Sequence, residues 1–95
     1  MDDELFEWDD ANILHLAEHN VSPEEAEEVI LGEPMELDFE VVDGENRWPY
    51  IGGTTQGRIL RVVMTLRGER VRVVTAFEPP KASKAIYLRR KAGEI

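Results

Sequence analysis

The chain has no cysteine, which excludes both a disulfide framework and thiolate chemistry. It has no apolar run near the roughly 20 residues that a bilayer-spanning helix needs. Its opening MDDELFEW is acidic where a secretion signal is basic, so a cytoplasmic protein away from the membrane is expected. Histidine occurs only at 15 and 19, one helical turn apart, and no third ligand of defined spacing accompanies the pair. No metal and no cofactor are therefore expected. Gly52-Gly53 is followed by neither a GxxxxGK[ST] pattern nor a helix start, and no GxSxG nucleophile motif is present. At 95 residues the chain makes a single domain, 1–95, with one modest core.

What is present is charge, unevenly placed. Residues 1–46 hold 17 of the 20 acidic residues and no lysine or arginine. Residues 47–95 hold the other three acids and all 11 bases, so the halves carry −17 and +8 within a net charge of −9. Two readings follow: a surface split between a basic and an anionic partner, or two halves that neutralise each other within the fold. Self-association through opposite halves is a third.

The stretch Gly57–Phe77, GRILRVVMTLRGERVRVVTAF, reads as a hairpin at the centre of a sheet. Arg58–Leu66 and Arg70–Phe77 are strands rich in β-branched residues, joined by a turn at Arg67-Gly68-Glu69. Alternation predicts Leu60, Val62, Met64 and Leu66 on one face, with Val71, Val73, Thr75 and Phe77 beside them. Upstream, Leu5–Trp8 reads as a short extended arm. A first helix follows, with Asp9 as N-cap, Ile13, Leu14, Leu16 and Ala17 as its apolar face and Asn20 as a left-handed stop. Ser22-Pro23-Glu24-Glu25 is a capping box opening a second helix, whose Glu24, Glu25, Glu27 and Glu28 make an acidic exposed face. Met35–Val41 alternates as a strand that pairs with Arg47–Gly53, where Pro49 marks an edge or an interruption. After Glu78-Pro79-Pro80, residues 81–91 form a basic helix. The fold class is α+β: a four-stranded antiparallel sheet with two N-terminal helices and a C-terminal helix.

FEWD, then a helix ending in His before VSPEEAEEVI, then IGGTTQGRILRVVMTLRGERVRVVTA, resembles the BrnT family of toxins in the RelE/ParE-like superfamily. The resemblance covers roughly Phe6 to Ala76. It implies a RelE-like sheet flanked by helices, metal-independent RNA cleavage, on or off the ribosome, and neutralisation by a cognate antitoxin. Glu18 stands where the family usually has lysine, and Phe77 follows Ala76 where the family's last strand commonly runs into arginine.

Such cleavage needs a base for the 2′-hydroxyl, cations for the phosphorane-like transition state and an acid for the leaving oxygen. His19 is the candidate acid/base, histidine being the side chain whose ordinary pKa, about 6.5, lies nearest neutrality. Arg70 and Arg72 are candidate catalytic cations. Arg47, Arg58, Arg61, Lys81 and Lys84 are candidates for phosphate binding, and Trp48 and Tyr50 for base stacking. Each has a structural alternative: His19 as a helix cap, the arginines paired with acidic helices, the aromatics packed. His15 reads as a helix-face residue.

Overall fold

The structure, a computed structural model, describes residues 5–93. Its elements run α1 (Asp10–Glu18), α2 (Pro23–Leu31), β1 (Met35–Glu36), β2 (Glu40–Val42), β3 (Glu45–Gly53), β4 (Ile59–Arg67), β5 (Arg70–Phe77) and α3 (Lys81–Lys91). Both N-terminal helices begin at reciprocal capping boxes, Asp9 with Asn12 and Ser22 with Glu25. Each such cap stabilises its helix by about 1 kcal/mol. Asn20, at φ 60, ends α1, and the Val21 N–H turns back to the Leu16 carbonyl.

The sheet is antiparallel in the order β1-β3-β4-β5, with β2 also paired to β3. It has five strands rather than four because Met35–Val41 is broken in the middle. The cause lies across the ladder. The Pro49 carbonyl accepts from the Leu37 N–H at 2.9 Å, and a strand residue's N and O share one edge, so the N–H that proline lacks faces this same neighbour. The chain leaves the ladder beyond Leu37, and Phe39 and Val41, expected to share one side of a single strand with Met35 and Leu37, are 50% and 60% exposed. β3 itself is an interior strand.

β4 is central, but β5 is an edge. The Leu5–Glu7 arm covers part of that edge: the Val71 N–H donates to the Leu5 carbonyl at 2.7 Å, and the Glu7 N–H donates to the Val71 carbonyl at 2.8 Å. One face of the sheet packs on α1 and α2 through Leu16, Val21, Ala26, Val29, Leu60, Val62, Val73 and Ala76, with Trp8 and Ile30 at the margin. The predicted alternation fails at one point. Val63 pairs with Thr75 but Met64 with Val73, so Val74 is the extra residue of a β-bulge. Beyond it Ala76 enters the core, while Thr75 and Phe77, predicted on the core side, turn to the other face. Leu66 is 49% exposed.

The helices differ from expectation for a related reason. In α1 only Asn12 and Leu16 are buried, while Ile13, Leu14 and Ala17 are exposed. The Asn12 amide replaces apolar contact with hydrogen bonds to the Glu7 and Val73 carbonyls. Of the four α2 glutamates only Glu24 is exposed. Glu25 binds Arg58, Glu27 accepts from the Trp8 indole, and Glu28 accepts from Thr55. Gly52 lets α2 approach the sheet: a Cβ there would lie 3.0 Å from Val29 Cγ1. α3 buries only Tyr87.

Candidate active site

α1 and α2 cover one face of the sheet, and the face bearing Arg61, Val63 and Thr65 carries two concavities. The first is a hollow of about 540 Å³ beside α1, lined by Asn12, His15, Arg47, Arg67, Arg72 and Thr75 among others. The bulge builds it. By turning Thr75 away from the core, it brings the hydroxyl Oγ1 to 3.1 Å from His15 Nε2. His15 Nδ1 lies 3.7 Å from Glu18 Oε1. With a proton on Nδ1 toward Glu18, Nε2 is the free base and accepts from the Thr75 hydroxyl; a substrate hydroxyl can take that place.

The cations around the hollow are engaged by carboxylates of the acidic half. Arg72 Nη1 donates to Glu7 Oε1 at 3.1 Å and to Asp9 Oδ2 at 2.9 Å, and Nη2 donates to Asp9 Oδ1 at 3.2 Å. Arg67 reaches Glu45 at 3.5 Å and Glu7 at 4.0 Å, and Arg47 Nε binds Glu45 at 3.1 Å. The Arg72 hydrogen bond, helped by the Asn12 N–H, holds the Asp9 carboxyl below its ordinary value. Reciprocally, Asp9 and then Glu7 raise Arg72 against its partial burial. The −17 and +8 halves therefore meet here, as the neutralising reading requires.

The candidate residues separate. Arg72 and Arg47 line the hollow. His19 is the C-cap of α1; its ring lies 5.4 Å from that of His15 and 6.1 Å from Phe77, outside the hollow's lining. Arg70 donates to the Phe6 carbonyl and so ties down the arm. Arg58 is held by both Glu25 oxygens and the Asn20 carbonyl. Trp48 packs against Phe39 at 5.4 Å. Tyr50 is half-buried; burial, then the nearby Glu36 charge, raises its phenol. Lys84 pairs with Glu78, and Lys81 is exposed at the start of α3.

Arg61 belongs to the second concavity, a groove of about 660 Å³ between the Met35–Glu40 segment and α3. His15, Thr75 and Arg67 are the hollow residues that sequence reasoning missed. For Thr75 the bulge hid the answer. His15 carried a usable signal, its place one turn before His19.

A family model described as "Ribonuclease toxin, BrnT, of type II toxin-antitoxin system" matches residues 8–79, a stretch that includes every residue named above as lining the hollow. The chain belongs to the BrnT family. Membership brings with it RNA as the substrate class and a cognate antitoxin as the protein partner. No curated protein matches the chain. Among the described residues, no three His, Cys, Asp or Glu side chains are grouped to hold a metal ion, and no helix is long and apolar enough to cross a membrane.

Proposed function

We propose that this BrnT-family chain is a cytoplasmic, metal-independent endoribonuclease of RelE-like fold, with its active site in the hollow beside α1. The observation that carries the proposal is the convergence of His15, Thr75 and Arg72 on one concave surface. His15 Nε2 takes the proton of the 2′-hydroxyl, the resulting oxygen attacks phosphorus, and the 5′-oxygen leaves with a proton. His19, 5.4 Å from His15, is the nearest second imidazole to supply that proton. Arg72 stabilises the charge on phosphorus. A guanidinium has five N–H donors, and Glu7 and Asp9 engage three of Arg72's, leaving two for phosphate. Arg47 and Arg67 extend the cationic wall, and Arg70 fixes the arm that carries Glu7.

The test is RNA cleavage by purified protein in chelator, with and without ribosomes. Wild type is expected to cut. His15→Ala and Arg72→Ala are expected to lose about 100-fold or more, the usual scale for an acid–base or charge-stabilising group. A second reading, a non-catalytic protein-binding module of the same fold, is favoured by the carboxylates that occupy Arg47, Arg58, Arg67 and Arg72. Wild type that cuts under neither condition would overturn the nuclease reading and favour that one.

A further inference from the structure

The groove beside α3 has a different character from the hollow. A cross-strand row of Ile51, Arg61 and Phe77 contributes to it, with Met35 as the next partner on β1. Arg61 carries its guanidinium 5.9 Å above the Phe77 ring, and neither Arg61 nor Arg90 has a carboxylate partner among the described residues. Across the groove Glu36, Asp38 and Glu40 are exposed and have no ion-pair partner among the described residues. Between the two charged walls lie apolar surfaces: Phe77, Pro79, and Ile86, which is 47% exposed on a helix that buries only Tyr87. Elsewhere on this face acids and arginines have found each other. Here they stand apart, with apolar side chains between them.

We infer that this groove seats the antitoxin, through an amphipathic segment with an apolar anchor between Phe77 and Ile86, a carboxylate toward Arg61 and Arg90, and a basic side chain toward Asp38 and Glu40. This rests on the toxin–antitoxin reading above. Charge complementarity chooses a protein over RNA. A phosphodiester backbone satisfies the arginines but meets three uncompensated carboxylates, whereas a protein segment can carry both signs at the required spacing. The apolar anchor supplies the water-excluded centre that such interfaces need. The groove also lies on the same sheet face as the hollow, so a partner seated there stands beside the cleavage site.

The probe is the purified product of the gene adjacent to this one, titrated calorimetrically into the full chain. Ile86→Glu and the pair Arg61→Glu/Arg90→Glu are each expected to weaken binding at least tenfold. Asp38→Lys/Glu40→Lys does the same, because it reverses the acidic wall. Leu14→Glu, at a 64% exposed apolar position on α1 outside the groove, leaves affinity within twofold. Circular dichroism melts confirm that each variant folds. Groove variants that bind as wild type does, while wild type still cuts RNA and is silenced by the partner, overturn the seat and spare the toxin reading. The seat is also overturned if Asp38→Lys/Glu40→Lys tightens RNA and keeps partner affinity, since the groove is then a nucleic-acid site. Wild type that neither binds the neighbour's product nor cuts RNA ends both readings.

Discussion

Arg72 and Arg61 project from the same face of the same hairpin, yet their surroundings are opposite. Arg72 lies beside the N-terminal arm, its side chain 14% exposed and bonded to Glu7 and Asp9. Arg61 lies beside α3 with its guanidinium over the Phe77 ring and no carboxylate partner among the described residues. Residues 1–46 supply the acids that neutralise the second half, but they reach only part of it. The arm brings Glu7 and Asp9 to β5, α2 brings Glu25 to Arg58, and the start of β3 brings Glu45 to Arg47 and Arg67. Where the edge strand breaks at Leu37–Phe39, the acids stay on one wall of the groove and the arginines on the other. A paired guanidinium holds the fold together, and a substrate must compete for it. An unpaired one is available to a partner without such competition.

The largest effect that would sharpen this contrast is on stability. Arg72→Met leaves Glu7 and Asp9 facing each other without their cation and loosens the arm on β5. We expect a loss of about 1–2 kcal/mol in urea denaturation, in the range for a partly buried, hydrogen-bonded charge. Arg61→Met removes no hydrogen bond and should stay within about 0.5 kcal/mol of wild type. Equal losses in the two variants would erase the distinction. The second effect is on geometry. Deleting Val74 straightens β5 yet leaves Thr75 opposite Val63 and Ala76 opposite Val62, so Thr75 keeps its face beside His15. Where that variant folds, RNA cleavage should stay within about tenfold of wild type, and a larger loss would show that the bulged backbone itself sets the fine placement of the pair.

The bulge also marks where sequence reading stops. Caps and turns were legible because their signals are local: Asp9, Ser22-Pro23-Glu24-Glu25, Asn20 and Gly68 each act within a few residues. The hairpin was legible from its β-branched runs. The phase of β5 was not, because one extra residue leaves composition unchanged yet exchanges Thr75 and Phe77 with Ala76. Nor was the break at Leu37–Phe39 legible in its own residues, since its cause is Pro49 on the neighbouring strand. Arg72 and Arg47, both named from the sequence as candidate cations, line the hollow. Arg72's partner Glu7, 65 residues away, emerges only from the tertiary structure, whereas Arg47's partner Glu45 stands two residues away on the same strand. The place of His15 one turn before His19 was visible, but only the bulge shows which histidine meets a hydroxyl.

Acid titration gives the third test. Asp9 is held low by Arg72. Burial opposes Glu25's ionisation, but the Ser22 N–H and Arg58 outweigh it, so its value too lies below the ordinary 4.5. Both groups bind protons more weakly folded than unfolded. Their contribution is therefore complete above the unfolded values and is lost as pH falls through the folded ones. Wild type should lose stability as pH falls below about 4.5. Arg72→Met, lacking Asp9's partner, should show a shallower acid limb, and Arg61→Met should overlay wild type. A steeper limb in Arg72→Met would contradict the pairing.

The smallest expected effect belongs to Lys84, which lies between the two regimes: paired, as Arg72 is, but on the exposed surface of α3 near the groove. Its partner Glu78 is 58% exposed, so solvent screens the pair and side-chain ordering offsets most of the attraction. Lys84→Ala should leave the urea midpoint unchanged. It should also leave RNA affinity and its salt dependence unchanged if the substrate keeps to the hollow. A lost phosphate contact would lower the slope of log affinity against log salt by about one. Such a drop for Lys84→Ala would place RNA along α3, and Arg61 and Arg90 would then belong to the substrate path rather than to a protein seat.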